Sequence, residues 1–228
     1  DGKLHKVVKV CGTDTLIHLV SGIDKRIHSL KIQKRSEGEF GKTTVHQFVL
    51  SGSGRLAEEP AVRTRHIEFI GNSLTCGYGT DGKHRDEPFL VETENCNLTF
   101  ASMVARYYDA DYTLIAHSGR GAARNYGDSV RVSKVTMKDR MLNTFHEDLT
   151  HKWNFKEYRP DLVVINLGSN DFSTEPHPYK SEFTKAYKQI LAQLREHYGD
   201  IPILCIYPVA MHCLLYTSPS PRDLSTSR

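Results

Sequence analysis

The chain reads as an α/β protein, a parallel sheet covered by helices, on three observations. Between about Arg65 and Ala210, short β-branched runs alternate with amphipathic helical stretches. One run, Asp161–Leu167, carries a continuous Leu-Val-Val-Ile core, the pattern of a strand buried on both faces. Three of the runs lead into polar, Gly-bearing loops, as strands of an open parallel sheet do where ligands bind.

The elements follow in order. Up to about residue 60 the texture is that of strands and turns. His5–Val10, Thr15–Val20, Ser29–Arg35 and Thr44–Leu50 are short, β-branched and separated by Gly, Ser and Asp. This zone is short for an independent sandwich, so residues 1–60 are expected to be the last strands of a β-domain. Ser51-Gly52-Ser53-Gly54 predicts a turn or the start of a linker. His66–Ile70 predicts a strand running into Gly71. Asn97–Asp109 predicts a helix, with Leu98, Met103, Val104 and Tyr107 at helical spacing. Tyr112–Ala116 is a second strand and Asp161–Leu167 a third. Ser181–Tyr198 predicts a helix with Phe183, Ala186, Tyr187, Ile190, Leu191 and Leu194 on one stripe, stopped by Gly199 and Pro202. Ile203–Tyr207 is a fourth strand.

The texture breaks near Cys213. Leu214–Arg228 reads LLYTSPSPRDLSTSR, with Ser, Thr, Pro and Arg and no period. It is expected to be foreign sequence joined to a truncated gene. The expected division is therefore 1–60 as a partial β-domain, 61–211 as the α/β domain and 212–228 as a non-native or disordered tail.

Composition removes several classes. The 228 residues are 39% hydrophobic and 25% charged, which excludes wholesale disorder. Thirty Lys+Arg against 27 Asp+Glu give a net charge of +3, a weaker excess than a nucleic-acid binder carries. No apolar run approaches the roughly 18 residues that cross a bilayer. Cys11, Cys76, Cys96, Cys205 and Cys213 are odd in number and scattered, so neither a disulfide framework nor a zinc ribbon is expected. Cys11 and Cys205 sit in apolar runs and are expected to be buried. His5, His18, His28 and His46 fit alternating polar positions on strands better than metal ligation.

The chemistry is expected in three loops: Gly71–Gly77, Ser118–Gly121 and Gly168–Asp171. Parallel strands would bring all three to one edge. Ser73 is the candidate nucleophile, a hydroxyl that needs a neighbouring base to take its proton. The backbone N–H of Ser73, the N–H of Gly119 and the side-chain amide of Asn170 are candidate donors to an oxyanion. His117 and Arg120 flank Gly119 and are weaker candidates for substrate contact. Trp153, the only tryptophan, is a candidate sugar platform, with core packing favoured. Arg124 is expected to be a solvated loop residue, and Asp171 a buried acid that orients its loop. His177 is expected to be a loop histidine. Asp148-Leu149-Thr150-His151 has the letters of an Asp-x-x-His block but precedes the Asn170 loop, so it reads as coincidence. The glycine spacing at 119–121 fits neither a P-loop nor a dinucleotide fingerprint.

These residues carry a family resemblance. Ser73, Gly119 and Asn170, on successive strand ends, resemble the first three blocks of the SGNH/GDSL hydrolases. The match is closer to carbohydrate esterase family 2 in the string Arg65–Gly79, in Glu92-Thr93-Glu94-Asn95, and in His117-Ser118-Gly119-Arg120-Gly121 followed by Asn125-Tyr126-Gly127-Asp128. Trp153-Asn154-Phe155 and Pro160–Phe172 complete it. The resemblance implies an SGNH-type three-layer α/β/α domain preceded by a small jelly-roll β-sandwich. It implies a secreted or periplasmic serine esterase that removes acetyl groups from xylan- or mannan-type polysaccharide, with no cofactor and no metal. Ser73 would be the nucleophile, and Ser73 N–H, Gly119 and Asn170 the oxyanion hole. Asn72 stands where the more widespread motif has Asp. The family's catalytic histidine belongs to an Asp-x-x-His block near the C-terminus, and Leu214–Arg228 contains no His. The chain is therefore expected to be a fragment of impaired activity. The alternative is a catalytically inactive carbohydrate-binding protein.

Overall fold

The computed structural model describes residues 2–208, apart from 25, 59, 60, 85, 146 and 147. The expected tail, with His212 and Cys213, lies outside the described residues. The described chain falls into two units. One is drawn from Asp1–Lys34 and Lys42–Val62, the other from Arg35–Gly41 and Arg63–Arg228.

The first unit corrects an expectation. Its described residues form no strand, although four segments have strand texture. Leu4, Val7, Val10, Leu16 and Val49 are exposed. β-Propensity stabilises a strand only through ladder partners and a buried face. Neither is present here. Cys11 is exposed rather than buried for the same reason.

The second unit holds the predicted sheet. Its strands are β1 (His66–Gly71), β2 (Asp111–Ala116), β3 (Leu162–Ile165) and β4 (Ile203–Cys205). They run parallel in the order β2-β1-β3-β4. β1 registers Ile67 with Tyr112 on one side and with Leu162 on the other. The chain steps outward from β1 to β2 and then crosses to β3 on the far side. Open sheets bind ligands at such a reversal, beyond the carboxyl ends of the strands, here β1 and β3.

Helices cover both faces because the side chains of each strand alternate. Ile67, Phe69 and Val164 face one way, against Ala101 and Ala105 of α2 (Phe100–Tyr107). Ile70, Val163 and Ile165 face the other way, against Phe183, Ala186, Tyr187, Ile190 and Leu194 of α4 (Lys180–Tyr198). That stripe is the one the 3.6-residue period predicts. Two short α-helices, α1 (Ser73–Cys76) and α3 (Met137–Arg140), accompany them. The Thr99 hydroxyl caps α2 by accepting from Ser102 N–H. The Glu182 carboxylate accepts from Tyr179 N–H at the start of α4. Gly199, at φ 69°, ends α4. The result is a helix–sheet–helix sandwich. Cys205 is partly buried, less than its apolar run suggests, because β4 stands at the edge of the described sheet.

Candidate active site

Asn72 places the candidate nucleophile. It is fully buried between β1 and α1. Its Oδ1 accepts from Leu74 N–H at 3.2 Å, and its Nδ2 donates to Ser169 Oγ at 2.8 Å. One amide thus caps α1 and ties the loop after β1 to the loop after β3. Only a side chain that both donates and accepts can do this in one orientation. Ser73 follows as the first residue of α1, at the carboxyl edge of the sheet.

The loop after β2 approaches from the other side. Gly119 sits at φ +73°, a conformation that favours glycine, and its carbonyl accepts from Tyr126 N–H at 2.8 Å. Gly121 is required by space. A Cβ there would meet Arg124 O at 2.0 Å and Asp171 Oδ2 at 2.4 Å. Asp171 is fully buried and accepts from the N–H groups of Ala122, Ala123 and Arg124 at 3.0, 2.6 and 2.9 Å. Burial pushes its carboxyl up from the ordinary range, and the three N–H donors oppose that push. It orients the loop, as its sequence position suggests.

Asn170 closes the arrangement. It is buried, and its Nδ2 donates to Arg120 O at 2.8 Å. An amide nitrogen carries two N–H groups, so one remains beyond this tether. The loops bearing Ser73, Gly119 and Asn170 are therefore joined in pairs: 72 to 169, 170 to 120, and 171 to 122–124. Among the described residues, no histidine bonds to Ser73 Oγ.

The other candidates distribute differently. His117 is buried, with Nδ1 2.8 Å from Ser118 O, so it packs under the loop instead of standing open to solvent. Arg120 is half-buried and contributes its carbonyl to Asn170. Trp153 is not brought to these loops. Its backbone N–H donates to Leu142 O at 2.9 Å, and its side chain lies near Tyr198 at the end of α4. Tyr198 in turn reaches Glu68 on β1, well below the carboxyl edge. Arg124 corrects an expectation, because it is fully buried instead of solvated. Its guanidinium donates to Val130 O at 3.0 Å, Thr174 Oγ1 at 2.9 Å and the Asp128 carbonyl. Loop closure, which local sequence does not encode, buries it. Asp148 and His151 do pair, on an exposed loop. His177 lies against Phe172 and beside Glu175.

Glu37 escaped the sequence reading. It is buried, and its Oε2 accepts from Ser118 N–H at 2.7 Å. Its only signal is the polar, Gly-bearing run Ser36-Glu37-Gly38-Glu39 inside a β-textured zone. Glu94 is fully buried beside it and accepts the Glu37 N–H. Cys76, in α1, packs against this pair. Burial pushes its thiol far up, and the two carboxylates push it further.

Comparisons with known proteins agree with this fold. The GDSL-like Lipase/Acylhydrolase family matches residues 69–227. The chain is 37% identical over 205 residues to the cellulase/esterase CelE of Acetivibrio thermocellus, covering 90% of this chain and 24% of that protein. It is 35% identical over 150 residues to an acetylxylan esterase / glucomannan deacetylase of Cellvibrio japonicus, covering 64% of this chain and 40% of that protein. Among solved structures, a family two carbohydrate esterase from Clostridium thermocellum in complex with cellohexaose superposes with a TM-score of 0.63 at 38% identity. It covers 68% of this chain and 46% of that one. The chain thus spans less than half the length of these relatives. It belongs to the GDSL-like lipase/acylhydrolase family, in which its relatives include family two carbohydrate esterases.

Proposed function

We propose that this protein is a serine esterase that removes acetyl groups from plant cell-wall polysaccharide of the xylan or mannan type. The observation that carries the reading is the joining of three loops at the carboxyl edge of the sheet, with Ser73, Gly119 and Asn170 on them. The names of the relatives, an acetylxylan esterase / glucomannan deacetylase among them, support the substrate class.

Ser73 Oγ attacks the acetyl carbonyl carbon, and its proton passes to a base. The carbonyl oxygen becomes an oxyanion and takes hydrogen bonds from Ser73 N–H, Gly119 N–H and the remaining Asn170 N–H. The ester bond to the sugar breaks, and the sugar oxygen leaves with a proton from the same base. Water then attacks the acetyl-serine and acetate departs, which restores Ser73. The base is the histidine of the Asp-x-x-His block that the family resemblance implies; Leu214–Arg228 supplies no histidine, so this chain is expected to be impaired as an esterase. No step needs a metal or a cofactor. The substrate polymer suits a secreted or periplasmic protein, and no helix among the described residues is long and apolar enough to cross a membrane.

Ser73→Ala tests the reading by acetate release from acetylated xylan and glucomannan. Loss of release with retained binding to the polysaccharide supports it. Release that survives the substitution removes Ser73 as nucleophile. A wild type that binds the polysaccharide and releases nothing favours the second reading, a carbohydrate-binding protein without catalysis. The absence of a histidine contact to Ser73 among the described residues keeps that second reading in view.

A further inference from the structure

A buried carboxylate from far away in the sequence reaches the Gly119 loop. Glu37 lies in the segment Arg35–Gly41, which belongs to the same unit as the sheet although residues on both sides of it do not. Its Oε2 accepts from Ser118 N–H at 2.7 Å and lies 3.7 Å from Nδ1 of the buried His117. Ser118 directly precedes Gly119. The amide that Glu37 holds is therefore one peptide away from the proposed oxyanion donor.

The segment is itself fixed. The Glu37 N–H donates to the Glu94 carboxylate. Arg35 Nε donates to Glu94 O at 2.9 Å, and Arg35 Nη2 donates to Glu92 O at 3.0 Å and to the Asp81 carboxylate. Cys96 N–H donates to Arg35 O at 3.0 Å. The 92–96 stretch then returns to the nucleophile, because Asn95 N–H donates to the carbonyl of Gly77, the residue that ends α1. One strap thus ties the end of the Ser73 helix to the start of the Gly119 turn. Glu39 brings a third potential ligand atom to within 4.8 Å of those of Glu37 and His117. The Glu37 and His117 atoms facing the loop are already engaged with Ser118, which favours an anchor over a cation site.

We infer that Glu37 is a positioning residue for the oxyanion hole: its carboxylate holds the Ser118 amide so that Gly119 N–H points at the reacting carbonyl. The inference rests on the esterase reading for the role of Gly119, but the anchoring itself does not. A charge-assisted bond to a backbone N–H is about twice as strong as a neutral one, and shorter. Oxyanion stabilisation depends on donors fixed before reaction. Loss of the anchor should therefore lower kcat and leave KM nearly unchanged, because the lost contact acts on the transition state.

The test uses the full chain with Glu37→Ala, Glu37→Gln and Glu37→Asp. It reads kcat and KM on 4-nitrophenyl acetate, and amide hydrogen exchange over residues 118–121 with α4 as control. A misplacement of about 1 Å costs up to roughly 100-fold, so Glu37→Ala is expected to lower kcat roughly 10- to 100-fold with KM within about twofold. Exchange at 118–121 is expected to accelerate about tenfold while α4 keeps its protection. Glu37→Gln retains an acceptor oxygen and is expected to stay within about threefold of wild type. Unchanged kcat and unchanged exchange in Glu37→Ala overturn the proposal. So does a Gln variant as impaired as the Ala variant. If Glu37→Ala fails to fold, Glu37→Asp decides. It is one methylene short of Ser118, and a wild-type kcat with wild-type exchange there also overturns the proposal. If the wild type itself releases no 4-nitrophenol, as expected of a fragment without its base, the exchange comparison alone decides whether Glu37 anchors the loop, and unchanged exchange in Glu37→Ala overturns the proposal.

Discussion

The Tyr198 phenol donates a hydrogen bond to the Glu68 carboxylate at 2.8 Å, across the interface between β1 and the last turn of α4. Glu68 is buried on the face of β1 that also carries His66 and Ile70. Burial pushes its carboxyl up to about 7, and the Tyr198 bond only partly opposes this. The folded state therefore binds this proton more tightly than the unfolded chain does. The stability it contributes is present below the unfolded value, near 4.5, and is lost as the pH rises through about 7. At 1.36 kcal/mol per unit the loss by pH 8 is about 3 kcal/mol. Glu68→Gln keeps the acceptor for Tyr198 and removes the titration. It is expected to raise the thermal midpoint at pH 8 and to change it little at pH 5. Equal effects at both pH values would refute the assignment.

Asn170 serves two purposes with one amide. It tethers Arg120 O and, in the proposed mechanism, donates to the oxyanion. Removal of one such donor typically costs about 100- to 1,000-fold in kcat. Asn170→Ala should show a loss of that size in steady-state ester hydrolysis, with a much smaller change in KM. A variant that loses affinity and keeps kcat would place Asn170 in ground-state binding.

Gly121 tests the packing of the Gly119 loop on Asp171. Gly121→Ala forces a Cβ to 2.0 Å from Arg124 O and 2.4 Å from Asp171 Oδ2. The first is backbone, so the loop must move. Overpacking of this kind costs about 1–3 kcal/mol. The expected result is a lower thermal midpoint together with faster amide exchange at 122–124, whose N–H groups Asp171 accepts. A midpoint equal to wild type would mean that the loop yields without cost.

Asp148 and His151 pair, but in the open. The His151 side chain is 64% exposed, and Asp148 is held well below its ordinary value by the Thr150 hydroxyl and N–H and by His151. Exposed pairs contribute little. His151→Ala is expected to leave both acetate release and the thermal midpoint within experimental scatter. A large loss of acetate release would make this pair, and not a later block, the source of the base.

Much of the architecture was legible in local patterns. The Leu-Val-Val-Ile run marks β3 because two-sided burial demands continuous apolar residues. Phe183, Ala186, Tyr187, Ile190 and Leu194 mark α4 because a helix repeats every 3.6 residues. The Gly-bearing loops at 71, 119 and 168 follow from the same alternation, since each begins where a strand pattern stops. Even the N-terminal zone was legible only as propensity: its runs have strand character, yet no described residue there belongs to a strand.

The sequence by itself therefore determined which segments form strands and helices in the second unit, and that Ser73, Gly119 and Asn170 lie at strand ends. These properties rest on short-range periodicity and steric preference. Only the tertiary structure decided that Glu37 reaches Ser118 across 81 positions, that Asp171 gathers three amides from the neighbouring loop, and that Arg124 is buried. Those contacts join segments whose separation carries no period, and each polar group finds its partner only when the sheet order brings the loops together.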